Sequence, residues 1–446
     1  MSAQPQAVNQ LGLLKTRRFL PLFLTQFLGA FNDNFFKSAL MMLITYRLGD
    51  ATGVDPRVMV NAAAGAFILP FFLFAAPASD LADRYDRSLL MRAVKLAEVV
   101  VMAGAALGFW LDSLWLLMAV LFLMGAQSAF FSPAKYSILP QHLAEGELIA
   151  GNGLIQMGTY LAILSGTISG GLIILREGGP YWAGALAVLI AAAGWASSRF
   201  IPPTRPIAPE RRVSAHVLRR TLEMFADVTP RRDVFCAMLA ISWFWLVGAT
   251  FLAQFPTYAR LVMGAGEGVA TAFMAVFSLG IGLGSTACNA LLRGKVTVRF
   301  VPWAAWGIAL ASVLLWWFSD AHGGALLRAA DGPSISPDAA VIGVWAFFST
   351  PGNWSVPLCL LAIAFCGGLY IVPLYAVMQS RAPEESVSGV IACSNIADSL
   401  FMAGSALGAG LLLSWGWDIP GIFLLMAPTT AFVGVLIWLG LVRRRG

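Results

Sequence analysis

Twelve apolar stretches, each long enough to cross a bilayer, decide what this chain can fold into. Their approximate limits are 18–47, 59–80, 89–111, 113–132, 148–174, 180–201, 234–260, 268–292, 298–319, 355–379, 386–415 and 419–442. About 20 apolar residues carry a helix across the hydrocarbon. Lipid offers backbone groups no partners, so each stretch is predicted to be a transmembrane α-helix. Composition agrees: of 446 residues, 59% are hydrophobic and 12% charged, against about 25% charged in a soluble domain. The expected class is an all-α, multi-pass membrane protein. The opening MSAQPQAVNQLGLLKTRRF lacks an apolar core followed by a small-residue cleavage site, so no removable signal peptide is expected.

Lysine and arginine in the connections set the orientation. One side holds Lys15, Arg17, Arg18, Arg84, Arg87, Lys135, Arg293, Lys295, Arg299, Arg381 and Arg443 to Arg445, with the arginines between spans six and seven. The other holds only Arg47, Arg57, Arg176, Arg260 and Arg328. Both termini are therefore expected in the cytoplasm. The net charge of +6 is spread through short loops rather than gathered in an aromatic-laced patch, so it indicates topology and not nucleic-acid binding. The five cysteines lie in apolar segments without CxxC or Cys/His zinc spacing, and read as small buried residues. No metal site is expected.

The longest basic segment runs from about Pro202 to Asp233 and divides the spans six and six. The expected organisation is a six-helix half over 1–201, a basic cytoplasmic linker over 202–233 and a second half over 234–446. Within the linker Val213, Val217, Leu218, Leu222 and Phe225 recur at helical spacing opposite arginines. That pattern suits a helix lying on an anionic leaflet, and a solvated connector fits equally well. Gly125 and Asn152 are 27 residues apart, as are Gly368 and Asn395, a faint sign of duplication. Two such halves, in pseudo-symmetry with a site between them, is the arrangement expected of the major facilitator fold.

The first span carries Asn32, Asp33, Asn34 and Lys37 within an otherwise apolar run. A charge at mid-bilayer costs roughly 3 kcal/mol, so it normally faces protein or a water-filled cavity. Asp33 and Lys37 share a helical face and could neutralise each other, either to hold helices together or as a polar station in a cavity. Lys95 and Glu98 can pair at i,i+3 in span three, and Asn395 and Asp398 have the same spacing in span eleven. In span five, Asn152 and Gln156 share a face with the small residues Ser165, Gly166, Ser169, Gly170 and Gly171 beyond, which permit close helix approach. Candidate apolar walls are Phe31, Phe35, Phe36, Trp243, Phe244, Trp245, Phe251 and Tyr370.

SDLADRYDR from Ser79 resembles the major facilitator loop motif: Asp83, Arg84 and Arg87 match it, while Ser79 and Asp86 stand at its glycines. Carboxylates and guanidinium groups at helix ends can close one face of a carrier, so these residues, with Lys135, are gating candidates. Three longer stretches point further: FLGAFNDNFFKSAL from Phe27, SPAKYSILP from Ser132 with GNGLIQ from Gly151, and GGLYIVPLYAVMQ from Gly367. Together they resemble the bacterial lysophospholipid transporter family of the major facilitator superfamily, in the form associated with a lysophospholipid acyltransferase. The resemblance implies inward flipping of lysophosphatidylethanolamine-type lipids across the inner membrane for reacylation. Asp33, Lys135, Asn152, Pro373 and Asn395 match polar or turn positions of that family. Asp398 stands where it has a glutamate, Gln156 where it has another acidic residue, and span seven carries Gln254 with no buried arginine.

Enzyme chemistry finds no support. There is no GxxxxGK[ST], no HExxH, and none of His142, His216 and His322 is followed by aspartate five positions on. Any acyltransferase must be a separate chain. The expected substrate-binding set is Asp33, Asn34, Lys37, Lys95, Glu98, Asn152, Gln156, Gln254, Tyr370, Asn395 and Asp398. No cofactor is expected, although Asp33 beside two asparagines could couple transport to sodium or a proton. The chain is expected to act as a monomer among membrane lipids. A proton-coupled drug or metabolite antiporter of the same fold is the first alternative, and a non-transporting scaffold that docks an acyltransferase through the linker is the second.

Overall fold

The protein is described by a computed structural model covering residues 9–45, 56–211, 213–214, 216–329 and 341–443. Among these residues the long helices are α1 (Leu20–Leu43), α2 (Pro56–Arg84), α3 (Arg87–Trp110), α4 (Leu114–Ser137), α5 (Leu148–Ile174) and α6 (Gly179–Ser198). They continue as α7 (Arg232–Leu261), α8 (Glu267–Leu292), α9 (Val301–Ala329), α10 (Ser355–Arg381), α11 (Val387–Ser414) and α12 (Ile419–Ile437). Among the described residues eleven helices are long and apolar enough to cross a membrane. The helix outside that set is α1, whose Gln26, Asn32, Asp33, Asn34 and Lys37 dilute its apolar character.

Local chemistry explains where helices begin. Asp86 caps α3 by accepting from the Ser88 amide at 2.8 Å, and Asp418 caps α12 by accepting from the Gly421 amide at 2.8 Å. Gly178 opens α6 in the left-handed region, at φ 65°, with Pro180 inside the first turn. Prolines inside α2, α4, α7, α10 and α12 are tolerated because packed neighbours shield the freed carbonyls.

Glycines set the tightest helix pairs. A Cβ on Gly166 or Gly170 of α5 would collide with the carbonyl oxygens of Phe31 and Phe35 on α1. Gly125 of α4 lies against the carbonyl of Phe67, and Gly368 of α10 against the backbone of Ile281 and Ser285, so both glycines of the faint repeat serve close helix approach. Gly170→Leu is expected to push α1 off α5 and destabilise the bundle by about 1–3 kcal/mol or more. Loss of the monodisperse peak in detergent size-exclusion chromatography is the check, and an unaltered peak with unaltered melting would refute the packing argument.

The two sets of six helices meet where α5 packs on α8 and α10, and where α11 packs on α2 and α4. The amphipathic linker segment forms a helix over Val217–Val228, shorter than the apolar pattern from Val213 suggested. Met224 and Val228 are buried while Leu218 and Leu222 are exposed, because Arg220 turns inward to Asp80. In the connection before α10, the stretch VIGVWAFF from Val341 contains the short helix Val344–Ser349, which places Phe347 in the core. Part of the 320–354 connection lies outside the described residues.

Candidate functional site

Between the two sets of helices lies a cavity of two confluent lobes, of about 340 and 370 Å³. Lys37, Phe67, Ser132, Lys135, Trp245 and Met402 line both. The first lobe is built on the middle of α1, where Asp33 and Asn34 face it. Asp33 Oδ2 accepts from Ser128 Oγ at 2.8 Å, while its Oδ1 is buried without a partner among the described residues. Asn34 Nδ2 is tied back to the Ala30 carbonyl at 2.7 Å.

Lys37 does not close on Asp33 as its i,i+4 position allows. Its Nζ stands 4.4 Å from the centre of the Phe67 ring, a cation–π contact that offsets part of its desolvation. Lys135 likewise sits 4.3 Å from the Tyr136 ring. Among the described residues neither lysine forms an ion pair. Lys135 thus lies in the cavity rather than at the gate, because α4 continues to Ser137 and keeps it inside the bundle.

Lys95 reaches the same lobe, with its Nζ 2.5 Å from Glu98 Oε2. Glu98 itself stands behind the wall, where it also accepts from Gln127 Nε2 at 2.6 Å and Asn32 Nδ2 at 3.2 Å. In the second lobe Asn395 accepts from Ser132 Oγ at 3.0 Å and leaves its own Nδ2 buried and unpartnered. Asp398 accepts from Ser242 Oγ at 2.6 Å on the same wall.

Besides Glu98, four expected site residues lie outside this lining. Asn152 exchanges hydrogen bonds with Gln379 at 2.6 and 3.1 Å, a link from α5 to α10. Gln156 donates to the Tyr136 hydroxyl at 3.3 Å. Tyr370 donates to the Ala240 carbonyl at 3.0 Å and faces a separate apolar void of about 20 Å³. Gln254 is half-buried on α7, away from both lobes. Among the candidate aromatics only Trp245 lines the cavity; Phe35, Phe36 and Phe251 are core residues. Phe67, Phe71, Phe131 and Tyr160 are further aromatic residues of the wall.

The cavity is sealed toward the linker. Tyr136 of α4 and Tyr375 of α10 stack at 4.5 Å, nearly parallel, and the Asn152–Gln379 pair lies alongside. Beyond that seal is a polar pocket of about 470 Å³ lined by Arg87, Gln141, Glu145, Gln379 and Glu384. Beside it, ion pairs and hydrogen bonds tie the linker and α11 to the end of α2. Arg87 donates to Asp83 and to Ser388 of α11, each at 3.4 Å. From the linker, Arg211 pairs with Asp83 and reaches the Glu385 carbonyl at 3.3 Å. Arg220 grips Asp80 through Nε and Nη2 at 3.1 and 3.0 Å. Among the described residues Arg84 forms no ion pair and lies over the ring of its neighbour Tyr85. Asp86, at a glycine position of the loop motif, has its own work. Burial alone would raise its carboxyl, yet bonds from Thr204 and Ser88 hold it below the usual carboxylate range.

Sequence reasoning missed Ser128, Gln127, the tyrosine pair and the linker's grip on Asp80. Only the last had a signal: acidic Asp80 and Asp83 at a helix end, with a linker of arginines elsewhere in the chain. The double variant Arg211→Ala/Arg220→Ala is expected to loosen this closure. In a cysteine-free background, a cysteine at Ser132 should then react several-fold faster with a membrane-impermeant thiol reagent applied to the linker side. Unchanged labelling would show that the strap does not hold the gate. Among the described residues no cluster of three His, Cys, Asp or Glu is placed to hold a metal.

Comparison with known proteins fits this geometry. The family model described as Major Facilitator Superfamily matches residues 22–330. The chain is 25% identical over 402 residues to a protein from Photorhabdus laumondii named lysophospholipid transporter LplT, covering 87% of each chain. It is 27% identical over 392 residues to a protein of the same name from Salmonella schwarzengrund, covering 87% of this chain and 86% of that one. In fold it is similar to the human organic anion transporter MFSD10, with a TM-score of 0.74 at 15% identity over 94% of this chain and 99% of that one. The E. coli fucose:proton symporter FucP has a TM-score of 0.67 at 12% identity over 94% and 97% of the two chains.

Proposed function

We propose, on the premise that this chain belongs to the Major Facilitator Superfamily, that it is a secondary transporter of lysophospholipids. Its cargo is of the lysophosphatidylethanolamine type, moved across the bacterial inner membrane by alternating access and reacylated by a separate acyltransferase. The observation that carries this reading is a cavity holding both signs of charge beside an aromatic wall. Asp33 offers carboxylate oxygens to an ammonium, and Lys37 and Lys135, free of ion pairs among the described residues, suit a phosphodiester. Phe67, Phe71, Phe131 and Trp245 give one acyl chain an apolar surface. The names of the two bacterial relatives point to the same substrate class.

With the seal on the linker side, substrate enters from the opposite end and leaves once the tyrosine stack parts. Sodium or a proton at Asp33 belongs to the proposal, since Oδ1 of that carboxylate is buried and unpartnered. The test is uptake of labelled lysophosphatidylethanolamine into proteoliposomes, with and without a sodium or pH gradient. Uptake above that of empty vesicles supports the reading. Flux of small organic cations under a pH gradient, with no lysolipid uptake, would favour an antiporter instead. Absence of any flux with retained acyltransferase binding would make the chain a scaffold.

A further inference from the structure

We infer that Ser128 is a positioning residue for headgroup recognition, tying Asp33 to the buried Lys95–Glu98 pair so that a lysophospholipid with an ammonium group is favoured over one without. The inference rests on the reading of Asp33 as the headgroup station. Ser128 Oγ stands 2.8 Å from Asp33 Oδ2 and 3.1 Å from Gln127 Oε1. A serine hydroxyl has one proton, and both neighbours are acceptors, so Ser128 fully serves one of them at a time. The other end of Gln127 is already committed. Its Nε2 donates to Glu98 Oε2 at 2.6 Å, and a carboxylate there can face only the amino end of the amide. Lys95 at 2.5 Å and Asn32 at 3.2 Å complete the bonding of Glu98 and hold the group in place.

Among the described residues one hydroxyl proton, that of Ser128, is within reach of both Asp33 Oδ2 and Gln127 Oε1, and no side chain donates to Asp33 Oδ1. Among the described residues the charged neighbours are engaged elsewhere. Lys95 is bound to Glu98, and Lys37 and Lys135 are drawn to the Phe67 and Tyr136 rings. A primary ammonium brings three donors. Once it holds both oxygens of Asp33, Ser128 is free to turn its proton to Gln127, and every acceptor is served. A glycerol headgroup brings hydroxyls that must themselves find acceptors as well as donors, so it gains less from the same arrangement.

The experiment uses the full chain in proteoliposomes at one fixed pH, with lysophosphatidylethanolamine and lysophosphatidylglycerol as paired substrates. Ser128→Ala should raise KM for the ethanolamine lipid by about 5- to 10-fold, the loss of roughly one hydrogen bond. Vmax and glycerol-lipid uptake should stay within about twofold of wild type, and Ser128→Thr, which keeps the hydroxyl, should restore KM. Added to Asp33→Asn, Ser128→Ala should cost nothing more. Equal loss for both lipids, a fall in Vmax at constant KM, or no recovery in Ser128→Thr would overturn the inference. If wild type takes up neither lipid, the transport reading fails and a substrate-free measurement decides Ser128. Carbodiimide should then label Asp33 several-fold faster in Ser128→Ala than in wild type or Ser128→Thr, by peptide mass spectrometry. Equal rates would overturn it.

Discussion

Asp33→Asn is expected to cut lysophosphatidylethanolamine uptake by about 10- to 100-fold while leaving the protein folded. Asparagine has nearly the shape of aspartate, and its amide oxygen can still accept from Ser128, which now stands 2.8 Å from the carboxylate. What disappears is the charge opposite the substrate's ammonium. A hydrogen bond to a charged group contributes about 1.5–3 kcal/mol, and every 1.4 kcal/mol is roughly a factor of ten. The loss should fall mainly on KM, because in the proposed function Asp33 binds cargo and makes no covalent change. Initial rates across a range of lysolipid concentrations, in vesicles with matched protein content, provide the measurement. A well-folded Asp33→Asn protein that transports like wild type would remove Asp33 from the mechanism.

Glu98→Ala should give the largest loss of stability in the first six helices. Glu98 and Lys95 are both about 1% exposed, and Glu98 accepts from three donors on three residues. Truncating it strands a lysine ammonium inside the bundle together with the amides of Gln127 and Asn32. Removing one partner of a buried pair costs about 3–5 kcal/mol, whereas replacing both by well-packed apolar residues is often close to neutral. Lys95→Met/Glu98→Leu should therefore melt nearer to wild type than Glu98→Ala, read as apparent Tm in detergent at one heating rate. A single variant as stable as wild type, or a double variant no better than the single, would show that the pair is not held as described. The same double variant removes the anchor of Gln127, so its uptake should stay impaired although its stability recovers.

The span limits were legible because hydrocarbon selects for apolar length above all else. The stretches read as 148–174 and 268–292 correspond to α5 over Leu148–Ile174 and α8 over Glu267–Leu292. Helical spacing also placed Lys95 beside Glu98. It could not say what stands opposite a face. Asn152 and Gln156 share a face of α5 as read, yet that face meets Gln379 and Tyr136 instead of the cavity. Asp33 and Lys37 share a face of α1, but a phenyl ring and a serine from other helices compete for them and win. Ser128 was invisible for a related reason. One serine in an apolar helix is ordinary, and only the approach of α1 to α4 gives it a carboxylate to hold.

The stacked tyrosines have a consequence for how far the molecule must move. On one side of them lie the two lobes, and on the other a pocket of about 470 Å³ is already hollowed out. A ring stack contributes about 0.5–1.5 kcal/mol and a neutral hydrogen bond about 1 kcal/mol. The partition between the two compartments is thus one ring pair and one amide pair thick, a barrier that cargo binding could tip through its preference for one state. On the alternating-access reading proposed above, most of the resistance to turning inside out lies at the rim, in the arginine strap, and little in the middle. Such a carrier would work like a canal lock whose inner door is light and whose outer one is barred.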